Sequence, residues 1–206
     1  MAASGGAQDP FDGMDLTAPG RRTPSARAPQ RSDGRRPRSE HPFVLTVRVD
    51  LVGSRPAIWR RVELPSTMTL DRLHQVAQVL FDWTDSHLHR FTLGSSVWDR
   101  DAEHFLSPWE LADAEVEGTP TSQVRLDEVL TAAGDRLRYV YDFGDEWTLL
   151  FRVENVSLGE GRVRCTGGRG DHPPEDSGGV HGWSLDEPGA PFEVGAVDTA
   201  LRHLDR

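Results

Sequence analysis

The chain contains no lysine: all 23 basic residues among its 206 are arginines, a bias that accords with a GC-rich genome. It contains one cysteine, Cys165, which excludes an intrachain disulfide and argues against a small secreted, disulfide-stapled fold. Long apolar runs are missing as well. None approaches the roughly 18 residues that a membrane helix requires, and the opening MAASGGAQDPFDG has neither the basic nor the apolar region of a secretory leader. A cytoplasmic protein with no membrane partner is expected.

The net charge of −10 is unevenly spread. Residues 1–40 hold seven arginines against five acids, a net of +2, so the remainder carries −12. A body that acidic repels phosphate backbones at long range. Nucleic acid is therefore expected to engage only through the N-terminal segment, whose run RSDGRRPRSE could clamp an anionic partner.

Residues 1–41, rich in Gly, Pro, Ser, Ala and Arg, follow neither the strand nor the helix period, so a disordered tail is expected there. A single domain is expected over 42–206. From Phe43 the pattern changes: Phe43, Leu45, Val47, Val49 and Leu51 alternate with Thr46, Arg48 and Asp50, predicting a half-buried strand. The run AIWRRVEL predicts a second strand beside it, with Arg60 on the face of Ile58, Val62 and Leu64. TLDRLHQVAQVLF places Leu70, Leu73, Val76, Ala77 and Leu80 on one stripe, predicting a principal helix over about 69–81 with Thr69 or Thr67 as its cap.

SHLHRFTLG predicts a strand with His87, His89, Phe91 and Leu93 on one side. Residues 95–123 are irregular, with Trp98, Phe105 and Trp109 expected to fold back over the core. VRLDEVLTAAG predicts a short strand and helical turn stopped by Gly134. RLRYVYDFGDEWTLLFRVE then predicts a hairpin whose bend, 142–146, uses Gly144 at positive φ, and FEVGAVDTALRHL predicts a closing helix. The expected class is α+β, an antiparallel or mixed sheet with one principal helix packed on a face.

The triplet Asp142-Phe143-Gly144 spells the magnesium motif of kinases, but a kinase also needs a glycine-rich phosphate loop, a strand lysine and a catalytic-loop aspartate, and none is present. If the bend approaches the start of the histidine-bearing strand, His87, His89, Asp142 and Asp145 converge, a donor set suited to a divalent metal or to proton transfer. The alternative is that the histidines cap the edge of the core. Arg60 on an apolar face requires a counter-charge, for which Asp142 or Asp145 is the natural candidate. Trp83, Asp85 and Trp147 complete a candidate polar cleft between the 83–91 segment and the 142–147 turn. Cys165 and His172 are too few for a zinc site, and no G-x-S-x-G elbow appears.

The strings PAIWRRVELP, TLDRLHQVAQVLFDWTDSHLHRF, VRLDEVL, GDRLRYVYDFGDEW, HPPEDSGG and FEVGAVDTAL, in that order, resemble the plasmid pRiA4b Orf-3-like family over residues 43–204. The resemblance implies a compact bacterial or archaeal α+β domain, often carried on plasmids and mobile elements. Some relatives carry a resolvase-like label, yet neither a serine-nucleophile domain nor a helix-turn-helix pattern occurs here. The family's motif usually has histidine where Leu149 stands, and often cysteines where His172 and Ser177 stand. Both departures weaken a metal or catalytic role. The expected function is a non-enzymatic binding module for a peptide, protein or small ligand. The rivals are a metal-dependent hydrolase using His87, His89, Asp142 and Asp145, and a DNA-associated protein acting through its tail.

Overall fold

The structure, a computed structural model, describes residues 1, 34–112, 117–183 and 189–204. The chain divides into a unit of residues 1–31, of which only residue 1 is described, and a unit from residue 32 onward that holds every element below.

Alternation produces the first two strands. In β1 (Phe43–Leu51) each odd position is buried, and β1 pairs antiparallel with β2 (Trp59–Pro65), in which Arg60, Val62 and Leu64 turn inward. The outer face of these strands is polar, carrying the ion pairs Arg48–Asp50 (2.7 Å) and Arg61–Glu154 (2.6 Å). Helix α1 (Leu70–Phe81) buries the expected stripe. Thr69 stands at its N-cap, but its side chain caps nothing; the Leu70 N–H instead donates to the Val124 carbonyl at 2.9 Å.

After α1 come β3 (His89–Thr92), β4 (His104–Leu106), α2 (Pro108–Leu111), β5 (Thr119–Pro120), α3 (Leu126–Val129), β6 (Arg136–Tyr141), β7 (Trp147–Leu158), β8 (Arg164–Arg169), α4 (Gly179–Gly182) and α5 (Val194–Leu204). The strands form one mixed sheet in the order β5-β4-β3-β6-β7-β1-β2-β8, antiparallel throughout except for β4 and β5. The fold is α+β, as expected. α5 joins the core through Val197 and Leu201, and its Leu204 carbonyl accepts from Arg72 of α1.

Four local expectations change. The part of the expected tail within the described residues, 34–41, lies against the body. Arg35 pairs with Glu103 (2.7 Å), Arg36 with Asp135 (2.6 Å) and Arg38 with Glu128 (3.0 Å), so surplus carboxylates of the acidic body hold it. Residues 2–33 lie outside the described residues. In the irregular stretch Phe105 is fully buried, but Trp98 and Trp109 remain 40% and 78% exposed. The reason for Trp109 is its neighbour: Glu110 is buried and receives Arg90 of β3 at 2.6 Å, and the Ser107 hydroxyl accepts from the Glu110 N–H, so α2 is clamped with Trp109 outward.

Gly134 does take a positive φ, but the helical turn before it already ends at Val129. The bend between β6 and β7 leaves Gly144 outside the left-handed region and places Asp142 and Glu146 there, each at φ 54°. Asp142 Oδ1 accepts from the N–H groups of Gly144 (2.9 Å) and Asp145 (3.3 Å), which compensates the left-handed backbone.

Candidate functional site

Arg60 does not meet Asp142 or Asp145. Its guanidinium is fully buried at the C-terminal end of α1, where Nε donates to the Leu80 carbonyl (3.0 Å) and Nη1 to the carbonyls of Trp59 (3.0 Å) and Arg169 (2.9 Å). Phe192 lies over it at 3.8 Å. The Leu80 carbonyl lies in the last turn of α1, where carbonyls lack intrahelical donors and carry partial negative charge, and with the strand carbonyls of Trp59 and Arg169 it replaces the expected carboxylate. Burial lowers the guanidinium's pKa to about 10, which still leaves it charged at neutral pH.

His87 and His89 also part company. β3 begins only at His89, so His87 lies before the strand and does not share its face. His89 joins His74 of α1, the two rings stacking with centroids 3.5 Å apart and planes 9° from parallel. Around His74 runs a closed circuit of four hydrogen bonds. The Asp85 N–H donates to Gln78 Oε1 (2.9 Å), which orients the amide so that Gln78 Nε2 donates to the Tyr139 hydroxyl (3.1 Å). That hydroxyl is left to donate to His74 Nδ1 (2.8 Å), so the ring's proton sits on Nε2 and is donated to Asp85 Oδ1 (2.7 Å).

The circuit therefore contains a neutral imidazole. Burial lowers the pKa of His74 despite Asp85, and burial followed by the neighbouring His74 pushes His89 down to about 3. Burial likewise raises the Tyr139 phenol well above its ordinary value. His74, Asp85 and His89 offer three donor atoms within 4.8 Å of one another. Their rings nevertheless suit a metal poorly: with centroids 3.5 Å apart and planes nearly parallel, an ion shared by both would lie out of the plane of at least one ring, whereas imidazole lone pairs lie in plane.

The second cluster gathers around the PPED segment. Glu175 accepts from the Thr84 N–H (2.9 Å) and hydroxyl (2.7 Å), from the Ser86 hydroxyl (3.1 Å) and from the Tyr141 hydroxyl. Burial pushes this carboxyl up, but those bonds outweigh it and hold its pKa below the usual range; burial and Glu175 together raise Tyr141 to about 12. His87 Nε2 lies 2.7 Å from Asp176 Oδ1 and 3.6 Å from Asp142 Oδ2. Asp145 is elsewhere: its Oδ2 accepts from the Gly178 N–H at 2.9 Å and pins the loop onto the bend. At Gly179, with φ +69°, a Cβ would lie 2.0 Å from the Asp145 carbonyl oxygen, so the two backbones touch only because no side chain intervenes.

Trp83 and Trp147 are packing residues. Trp83 stacks between Phe81 (5.1 Å) and Tyr141 (5.0 Å), with Trp147 at 5.9 Å, and neither indole N–H has a hydrogen-bond partner.

The cleft itself differs from the one expected. It encloses about 690 Å³ between α1, which contributes Asp71, His74 and Gln75, and the stretch from Asp85 to His89. Pro108, Trp109 and Thr121 form the far wall, and no residue of the 142–147 turn lines it. His74, Gln78, Tyr139, Glu175 and Asp176 escape a reading of sequence alone. One signal was available for the first pair: His74 and Gln78 are four residues apart inside an apolar helical stripe, so both must point inward. Cys165, buried and free, and His172 share no donor cluster among the described residues.

Residues 43–185 match the profile of the family described as Plasmid pRiA4b ORF-3-like protein. The chain is 32% identical over 142 residues, 68% of its own length and 69% of the relative's, to an uncharacterized protein, y4hQ, of Sinorhizobium fredii. It is also similar to the crystal structure of a protein of unknown function, MM3350, from Methanosarcina mazei Go1. The identity is 30% and the TM-score 0.60, covering 69% of this chain and 78% of that one.

Proposed function

The chain belongs to the plasmid pRiA4b ORF-3-like family, and on that premise we propose that it is a binding module, without chemistry of its own, whose cleft receives a short peptide segment. The observation that carries this reading is the contrast between the cleft's rim and its polar groups. Trp109 and Leu88, 78% and 40% exposed, stand ready for contact, whereas His74 in the wall is engaged internally. Both nitrogens of His74 are bonded, and Glu175, which bonds Ser86 of the cleft without lining it, accepts from four donors. With His89 at about 3 and Tyr141 at about 12, neither is poised for proton transfer near neutrality. A cleft of about 690 Å³ is of the size that buries a small ligand.

No helix among the described residues is long and apolar enough to cross a membrane. Action in the cytoplasm and an association with plasmids or mobile elements belong to the same proposal. The test is the indole ¹⁵N–¹H resonance of Trp109 in the full chain, titrated with a mixed pool of short peptides. A saturable shift, lost in Trp109→Ala, is expected; a pool that moves nothing would overturn the module.

A second reading has one observation of its own. His87, Asp142 and Asp176 offer donor atoms within 4.8 Å of one another, a one-histidine, two-carboxylate set suited to a divalent ion in a hydrolase. It replaces the expected set, since His89 and Asp145 are committed elsewhere. Elemental analysis of protein purified without an affinity tag checks it: stoichiometric metal that disappears in His87→Ala would favour the hydrolase over the module.

A further inference from the structure

Resting on the reading of the cleft as a binding site, we propose that the cleft recognises an arginine side chain presented by a segment of a partner protein. The first ground is charge. Asp71 and Asp85 stand in the walls, and no arginine is among the described residues that line the cleft. The bond from His74 holds Asp85 in place, yet its side chain stays 58% exposed, so its negative charge remains presented. An anionic ligand would meet only repulsion from this pair.

The second ground is independent of the acids. His89 lines the cleft at 7% exposure, and its Nε2 has no hydrogen-bond partner. A buried polar atom left without a partner is uncommon and asks for a ligand atom or water. A neutral imidazole carries its proton on one nitrogen and accepts at the other, so the tautomer protonated at Nδ1 lets Nε2 receive a donor from the ligand. Gln75, Ser86, His87 and Thr121 also line the cleft and can adapt as donor or acceptor, so its fixed character is set by the carboxylates of Asp71 and Asp85 and the exposed indole face of Trp109.

A guanidinium is the complement of that character. It carries five N–H donors in a fixed plane and no acceptor, grips a carboxylate through two parallel bonds, and stacks on an aromatic face. Trp109 supplies such a face at the rim, where a cation within about 6 Å of the ring is attracted. An ammonium satisfies the charge but neither the fork nor the stack.

The experiment compares three capped tetrapeptides that differ at one position, bearing arginine, citrulline or glutamate, again followed by the Trp109 indole signal in the full chain. The arginine peptide should saturate, the citrulline peptide should bind about tenfold more weakly or worse, and the glutamate peptide should not bind. Asp85→Asn keeps an acceptor toward His74 Nε2 while removing the charge. It should weaken the arginine peptide about tenfold and leave the citrulline peptide unchanged. Equal affinity for arginine and citrulline, or an arginine affinity indifferent to both Asp85→Asn and Asp71→Asn, would overturn the inference. If the mixed pool still moves the indole in that case, the module stands without its cation preference; if the pool moves nothing, both fall.

Discussion

His74 and His89 stack face to face, 3.5 Å between centroids and 9° from parallel, with one edge of the pair tied to Asp85 and the other ring facing the cleft. Burial keeps both imidazoles neutral, because a charge on either would be desolvated and would also repel a charge on its neighbour.

An acid dependence of stability follows. Unfolded histidines titrate near about 6.5, whereas folded His89 resists protonation until about 3. Between these values the unfolded chain binds a proton that the folded chain refuses, so stability falls as pH drops. The slope for this group is about 1.4 kcal/mol per pH unit, and it vanishes above the unfolded value. Urea midpoints at pH 7.5 and pH 5 should separate more in the native chain than in His89→Gln. Identical separations would show that His89 titrates normally.

The hydroxyl of Tyr139 links His74 to Gln78, so Tyr139→Phe should leave His74 Nδ1 and Gln78 Nε2 buried without the partner each has now. The expected loss is about 1–3 kcal/mol, read from urea unfolding. The direction of the circuit has its own check. Long-range ¹H–¹⁵N spectra should find His74 protonated at Nε2 and bare at Nδ1; the opposite tautomer would reverse every bond in the ring.

Two glycines at positive φ should respond differently to alanine. Gly134, at φ +92°, has nothing within 4 Å of an added Cβ, so Gly134→Ala should cost only the backbone term of about 1–2 kcal/mol. Gly179→Ala adds the clash with the Asp145 carbonyl and should lose at least about 2 kcal/mol more. Comparable midpoints for the two variants would mean that the loop and the bend do not touch closely.

Arg60 satisfies three carbonyls from one buried position, and Arg60→Met should lose about 3 kcal/mol by leaving them without donors. Arg60→Lys restores the charge but not the fork over Phe192, and thermal unfolding should place it between the native chain and Arg60→Met.

Much of the architecture was legible locally. Phe43 to Leu51 alternates cleanly because one face of β1 is core and the other carries ion pairs, and the stripe from Leu70 to Leu80 has one helical solution. The site was less legible. His87 and His89 are two apart in sequence, yet strand geometry begins only at the second, which sends one imidazole to Asp176 and the other to His74. Trp109 reads as a core residue by composition, but buried Glu110 beside it claims the inward direction through Arg90.

Periodicity is a property of neighbouring residues along the chain, so the sequence by itself determined the principal strands, the main helix, the hairpin and the family. Which polar groups meet depends on contacts between residues such as His74 and Tyr139, 65 positions apart, or Tyr141 and Glu175, 34 apart. Those pairings, and the use of main-chain carbonyls from a helix end and two strands rather than a carboxylate to hold Arg60, were decided only in tertiary structure, because burial requires partners and packing alone selects which are within reach.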